Sequence, residues 1–538
     1  MAMFGSEEKT LKAKTLIYNA VIYTQSESLV VDSMAIYKNK IIAVGNNLEH
    51  DPDFKTYSKI NLQGKTIIPG LTDAHTHFFF FAISLGRVKL HDKTSLEACL
   101  DEIKSYAKKL KKNEWVVGEG LAPDQFDNYL LPDKYMLDKV TGGRPAFIFT
   151  KDQHSAWVNS KALELAGITS QTKNPDGGEI VKFENGEPTG ILREMSSYID
   201  IYNTIPLPSD TTINKLYKKA LEFAYQNGVT AVHSFDQKNG FAYFAKQAEK
   251  GTLGLRINYY FPDTTLDELL EDKILFGTGN EYLRLAGIKL YSDGALGSQT
   301  ALCFHKYIGS KNNFGIEVES VKSMFKKMKK ATKLGFPCAV HAIGDKAVSN
   351  VLDAIEQLPQ MHFGARHRIE HLQLVRRKDI KRIKELNVVA SMQPSHCPSD
   401  IKMIHKYWGK QGANAFLFKT LQKKNIDIAF GSDAPIEPLK PLEGIAAAVT
   451  RAKPKSREKF YPDEKITATE ALYNYTVGPA KAVGQEHCRG SLIPDYPADF
   501  VILSDDVTKT APSKLYDIKA LATVFDGKVK YDPHNLLK

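Results

Sequence analysis

Short apolar runs separated by longer amphipathic stretches recur through the middle of the chain. GVTAVHSF (228–235), GLRINYYF (254–261), LAGIKLYS (285–292), FPCAVHAIG (336–344), HRIEH (367–371), NVVASMQ (387–393) and IDIAFGSD (426–433) are rich in β-branched or apolar residues and short enough to be strands. TIIPGLTDAH precedes them and makes eight. Helix-like stretches lie between, such as TTINKLYKKALEFAYQNG and ESVKSMFKKMKKATKLG, each closed by a glycine that serves as a helix stop. Eight strands with helical crossovers predict an α/β fold, a (β/α)8 TIM barrel.

The two ends read differently. KTLIYNAVIYT, VVDSMAIYKNKIIAVG and KINLQGKTIIPG near the start, and RGSLIPDYPADFVILSDD and IKALATVFDGKVKYD near the end, are short strands punctuated by Gly, Pro and Asn. They predict a small β-sandwich domain built from both termini, residues 1–66 with 484–538, flanking a barrel of residues 67–112 and 206–483. One interval is too long for a crossover. After strand one, TSLEACLDEIKSYAKKL is the expected helix, but residues 113–205 add strands of their own (WVVGEGL, PAFIFT) and a helical WVNSKALELAG. They predict an inserted α/β subdomain after barrel strand 1. An insertion on a βα connection is expected over the C-terminal face, where barrel active sites form.

The polar residues on these strands carry the chemistry. His75 and His77, two apart at the end of strand one, face the same way. Lys289 lies within strand four, and His341, His371 and Asp433 end strands five, six and eight. Strand ends of one barrel converge on one mouth. Four imidazoles, a carboxylate and an amine gathered there suit a hard-to-borderline metal ion. The plainer reading of each is a satisfied core histidine, and of Lys289 an ion pair with Asp293.

PGLTDAHTHF, the strand-embedded lysine, the later strand-end histidines and GSDAP together resemble the amidohydrolase superfamily. KLYSDGALGSQTA, HAIGDKAV, RIEHLQ, SMQPSH and GSDAPIEPLKPLEGIAAAVTR look like its amidohydrolase-3 branch, which includes N-substituted formamide deformylases. The resemblance implies that His75 and His77 bind one metal, that His341 and His371 bind metal too, and that Lys289 is a carbamylated bridging lysine. It implies that Asp433 is the catalytic base and also touches the metal. The cofactor is then Zn2+, as one or two ions; a one-ion version would use His75, His77 and His371. His154 and Trp157 resemble the family's DGHSAWVNSKAL stretch, with Gln153 in place of its Gly, and are expected at the substrate or packed within the subdomain. His233 is expected as an ordinary polar residue lining the mouth or as a substrate contact, and Gln393 and His396 as groups that hydrogen-bond substrate. Arg193 and Glu194, in GILRE, match the family as well and otherwise read as an internal ion pair. Phe78 to Phe81, read with strand alternation, place two rings toward the barrel mouth or the insert, or pack as core.

Composition narrows the alternatives. Lys plus Arg is 72 against 62 for Asp plus Glu, a formal net charge of +10. The lysines are scattered over amphipathic stretches, which reads as solvated helix faces and not as a nucleic-acid surface. Five widely separated cysteines without a CxxC argue against a disulfide framework and for a reducing, cytoplasmic setting. The start, MAMFGSEEKTLKAK, has no apolar signal stretch, and FFFFAISLG falls far below the ~20 residues of a membrane span. The expectation is a metal-dependent hydrolase of a non-peptide C–N bond acting on a small amide-type molecule, with no nucleic-acid or membrane partner, and open to homodimer formation. Two alternatives stay open: a deaminase or N-acyl amino acid hydrolase on the same scaffold, and a non-catalytic ligand-binding regulator with a retained metal site.

Overall fold

Parallel strands covered on both faces must be apolar almost throughout, which is why eight such runs stood out. In the computed structural model they form one eight-stranded parallel sheet in chain order. Its strands are β1 (Leu71–Thr76), β2 (Val229–Ser234), β3 (Arg256–Pro262), β4 (Leu283–Tyr291), β5 (Cys338–Ala342), β6 (Arg368–His371), β7 (Val389–Met392) and β8 (Ile428–Phe430). The structure describes residues 10–26, 30–123, 126, 132–151, 153–361 and 364–538. The first nine residues, and with them most of the stretch read above for a signal sequence, lie outside the described residues.

Just beyond β8 the chain returns to β1. The Asp433 N–H donates to the His75 carbonyl at 2.7 Å and the His77 N–H to the Ala434 carbonyl at 2.9 Å. The sheet is thus a nearly closed eight-stranded barrel. The expected crossover helices include Asp210–Gln226 and Val321–Lys333. Gly228 and Gly335 follow them with φ of 74° and 75°, a left-handed backbone that glycine adopts without strain. The Ser320 hydroxyl caps the second helix by accepting from the Ser323 N–H at 3.3 Å.

The chain forms two compact units: Met1–Phe80, Lys218–Ser292 and Ser320–Lys538 in one, Phe81–Tyr217 and Asp293–Glu319 in the other. Beside the barrel, the first unit holds a four-stranded and a six-stranded sheet drawn from both chain ends. In the second of these, Thr66–Pro69 pairs antiparallel with Phe500–Leu503. Ile17, Met34 and Ile36 of one sheet and Ile67, Phe500 and Val524 of the other share one buried core. The second unit has its own six-stranded sheet. The helix Leu96–Ala107, expected above as the first crossover, contributes Cys99 and Ile103 to that unit's core. Among the described residues no helix is long and apolar enough to cross a membrane.

The phenylalanine run packs largely as core, one of its two expectations, but without the strand alternation that the other assumed. It does not continue β1 as a strand but opens a helix, Phe78–Ser84. The reason is a cap supplied from far away in the chain. The Asp236 carboxylate accepts from the Phe79 and Phe80 N–H groups, both at 2.9 Å. A carboxylate over the first turn satisfies amides that would otherwise need a neighbouring strand. Phe78, Phe79 and Phe81 are buried.

One buried arginine ties the barrel to the terminal sheets. Arg256, at the start of β3, pairs with Asp499 at 2.7 Å, Asp526 at 3.2 Å and Glu281 at 3.3 Å. Removing one member of such a cluster strands the others without a counter-charge. Arg256→Met is expected to cost about 3–5 kcal/mol of stability. Denaturant unfolding measures it, and a midpoint equal to that of the unaltered protein would contradict it.

Candidate metal centre

Strand β1 sets the first part of the site. Asp73, His75 and His77 alternate onto one side. The Asp73 carboxylate accepts from the Ser432 N–H at 2.9 Å and the His75 N–H at 3.1 Å, pinning β1 to the turn that carries Asp433. Complete burial pushes the Asp73 carboxyl up to about 7.

Each histidine of β1 has one ring nitrogen committed. His75 Nδ1–H donates to Glu370 Oε2 at 2.5 Å, and His77 Nδ1–H donates to the Phe235 carbonyl at 3.1 Å. Carboxylate and carbonyl oxygens only accept, so Nε2 is the lone-pair nitrogen of both neutral rings. Asp433 Oδ1 lies 3.4 Å from His75 Nε2 and 3.6 Å from His77 Nε2. These distances exceed those of good hydrogen bonds and suit donors arranged around a shared centre.

The remaining ligand candidates close around them. His75, His371 and Asp433 offer ligand atoms that all lie within 4.8 Å of one another. The His371 ring is 5.1 Å from that of His75 and 4.5 Å from that of His341. Lys289 is buried, its ammonium 4.8 Å from the Phe235 ring and 5.0 Å from the Tyr291 ring. Burial, partly offset by Glu370 and Asp433, brings its amine down to about 8. Burial, and then the nearby Lys289 charge, hold the His77 imidazole down to about 3, and the same desolvation depresses His75 and His371. Neutral imidazoles and an adjacent carboxylate are donors that suit a divalent metal ion, and the residues present fit one.

Two of these residues hold strained backbone. His371 has φ 70° and Asp433 φ 63°, left-handed values at which a side chain is unfavourable. At β6 this breaks strand alternation, so that Glu370 and His371, adjacent in sequence, both serve the site.

The residues that the strand-end pattern did not reveal stand behind the ligands. Glu370, fully buried, accepts from Arg368 Nε at 2.5 Å, from Arg368 Nη2 at 3.1 Å and from the Ser391 hydroxyl at 2.5 Å while it holds His75. A signal was present: Arg368 and Glu370 are two charges at i and i+2 in a strand otherwise expected to be apolar.

The expected substrate contacts separate into different settings. His233 is buried and accepts from Arg368 Nη1 at 2.9 Å, so it stands in the network behind His75. Gln393 is buried just beyond β7, and its Nε2 has no hydrogen-bond partner. His396 Nε2 lies 3.7 Å from Asp433 Oδ2. His154 and Trp157 belong to the second unit. His154 Nδ1–H donates to the buried Glu194 carboxylate at 2.9 Å, while Arg193 pairs instead with Glu179 at 2.7 Å. Gln153 keeps a left-handed φ of 59° where the family resemblance expects glycine. Trp157, one of the expected substrate contacts, is a core residue. Its indole is fully covered by its own unit and its Nε1–H donates to the Asp133 carbonyl at 2.8 Å, which leaves it no surface for a ligand.

A model of the amidohydrolase family matches residues 59–531. The chain belongs to the amidohydrolase family. Among its relatives, Protein LONG AFTER FAR-RED 3 of Arabidopsis thaliana is 33% identical over 96% of this chain and 92% of its own length. The N-substituted formamide deformylase of Arthrobacter pascens is 25% identical over 96% of this chain and 98% of its own length. The crystal structure of an uncharacterized metal-dependent hydrolase from Pyrococcus furiosus superposes with a TM-score of 0.74 at 29% identity, covering 92% of this chain and all of that one.

In this amidohydrolase the Glu370 carboxylate orients the His75 ring, a candidate metal ligand, from its Nδ1 side. Glu370→Gln is therefore expected to weaken metal affinity about 10–100-fold. Metal content after dialysis against graded chelator reads the change, and retention equal to that of the unaltered protein would remove Glu370 from this role.

Proposed function

We propose that this amidohydrolase uses a metal-activated water to cleave a non-peptide C–N bond of an N-substituted amide or formamide. The observation that carries the reading is the Asp433 carboxylate beside two Nε2 atoms whose opposite ring nitrogens are already committed. The relative whose name specifies an N-substituted formamide supports the substrate class. A bound ion, Zn2+ in this reading, supplies Lewis acidity and lowers the pKa of water from ~15.7 to about 7. His75, His77, His341 and His371 would hold it, as one ion or two.

The chain's own groups manage the protons. Asp433 accepts a proton as the water oxygen bonds to the carbonyl carbon. It then delivers that proton to the nitrogen as the C–N bond breaks, so that an amine leaves and a carboxylic acid, or formate, remains. The Gln393 amide is the proposed donor to the substrate. His233 is read as a support of Arg368 and Glu370. We also read the two terminal sheets as a small β-sandwich domain.

Lys289 is proposed to react with CO2, its amine nitrogen bonding to carbon and a proton leaving, to give an anionic carbamate ligand. Burial, which brings the amine down to about 8, raises the share of the neutral nucleophile. After incubation with 13C-bicarbonate and metal, a protein-bound carbamate resonance should appear and should be lost in Lys289→Met. Its absence from the unaltered, metal-loaded protein would refute carbamylation.

Asp433→Asn keeps the shape of the side chain and removes the base. Turnover on a panel of N-substituted amides and formamides should fall about 10²–10⁴-fold, with metal content nearly unchanged. Undiminished turnover would sink the role given to Asp433. A metal-loaded protein active only on amino heterocycles would sink the substrate class instead.

A further inference from the structure

Between Asp293 and Glu319 the second unit carries neither helix nor strand, yet its own hydrogen bonds fix this segment. The Cys303 N–H donates to the Phe314 carbonyl at 2.8 Å, the Tyr307 N–H to the Asn313 carbonyl at 2.8 Å and the Ile316 N–H to the Thr300 carbonyl at 2.9 Å. The chain thus runs out and back as an irregular hairpin. Tyr307 is fully buried and anchors it, its hydroxyl donating to the Ala301 carbonyl at 2.8 Å. Gly315 has φ 91°, and a Cβ there would lie 2.1 Å from the Ala301 oxygen, so the close approach of the two arms requires a glycine. The result is a strap of defined shape.

What the strap shows to solvent is apolar. Phe304 is 40% exposed, Ile308 55%, Phe314 39% and Val318 46%. Among the described residues twelve large apolar side chains are exposed, and a third of them sit on this one strap. Single exposed apolar residues are ordinary, whereas several on one fixed element mark an association surface. The charges beside them identify the partner. Lys306 and Lys311 flank the turned end, where the Ser310 N–H donates to the Tyr307 carbonyl at 3.1 Å. Glu317 and Glu319 follow the open end, where Ile316 meets Thr300. A membrane or an acidic partner would suit the lysines and be repelled by the glutamates. A patch with cations at one end and anions at the other is complementary to its own copy turned by half a turn.

We propose that two copies of this chain associate in solution strap to strap about a two-fold axis. Phe304, Ile308, Phe314 and Val318 of each copy cover those of the other, which supplies the affinity. The turned end of one strap meets the open end of its partner, so that Lys306 and Lys311 of one copy face Glu317 and Glu319 of the other. Exposed ion pairs contribute little affinity, and here they set the relative direction of the two straps. The association does not depend on the reaction proposed above.

Sedimentation equilibrium of the full chain across the micromolar range tests this. The mass should rise with concentration to that of two chains, and a single-chain mass throughout would overturn the proposal. Ile308→Ser/Phe314→Ser changes exposed side chains and should weaken association about tenfold or more, with an unfolding midpoint near that of the unaltered protein. Undiminished association in that variant would place the contact elsewhere and overturn it as well. The charges provide a second check. Lys306→Glu/Lys311→Glu and Glu317→Lys/Glu319→Lys should each associate more weakly alone, because like charges then meet. Mixed in equal amounts, the two variants should form a heterodimer, since each strap end again faces its opposite. A mixture no more associated than its parts would refute the two-fold pairing.

Discussion

Everything at the mouth of the barrel depends on the burial of one ion pair. Arg368 and Glu370 are both fully buried in the barrel interior. Charges in so poorly solvated a place are tolerated only when every remaining donor and acceptor is also met. Arg368 meets this demand by reaching around the barrel. It donates to Glu370 on its own strand, to the Ala74 carbonyl on β1 at 2.6 Å, to His233 on β2 at 2.9 Å, to the Tyr260 hydroxyl on β3 at 3.3 Å and to the Ser391 hydroxyl on β7 at 2.6 Å. Five strands are thereby referenced to one guanidinium. Glu370, fixed by it, fixes His75 in turn. The position of a candidate ligand atom therefore follows from an electrostatic condition in the core beneath it.

Strain completes what the ion pair begins. A regular strand would turn Glu370 and His371 to opposite faces. The left-handed backbone at His371 brings both to the site, and the same conformation at Asp433 turns the carboxylate toward the histidines of β1. Such values cost of order 1–3 kcal/mol each and persist where the surroundings enforce them. At Asp433 the enforcement is visible: its N–H is held by the His75 carbonyl, and the Asp73 carboxylate holds the preceding Ser432 N–H. The bonds that nearly close the barrel are thus also the bonds that aim the Asp433 carboxylate.

What could be read in the sequence was what local pattern controls. Strands buried on both faces announce themselves as apolar runs, and a histidine at the end of such a run is conspicuous. His75, His77, His371 and Asp433 were legible for that reason, and the structure brings them together. The rest depended on contacts between distant positions. Nothing local to His75 names Glu370, 295 positions away, as its partner. Nothing local to the four phenylalanines names Asp236, whose carboxylate caps them into a helix. Trp157 misled in the other direction. Its motif suggested a ligand contact, while an indole with one N–H to satisfy is equally suited to a core that offers a carbonyl.

The Arg256 cluster and the histidine cluster differ in how their polar groups are finished, and that difference points to where the chemistry lies. At the start of β3, Arg256 is surrounded by three carboxylates at ion-pair distance, an arrangement complete in itself. At the strand ends that carry the histidines, the Nδ1 positions of His75 and His77 are met at 2.5 and 3.1 Å, while their Nε2 positions stand 3.4 and 3.6 Å from Asp433. The same rings are therefore tightly bound on the side facing the core and loosely gathered on the side facing the mouth. A purely structural cluster would shorten both sets of contacts, since a buried imidazole gains most from full pairing. Groups held rigidly from behind and spaced apart in front have been positioned for something other than each other, and a divalent cation is the partner whose size and charge suit that spacing.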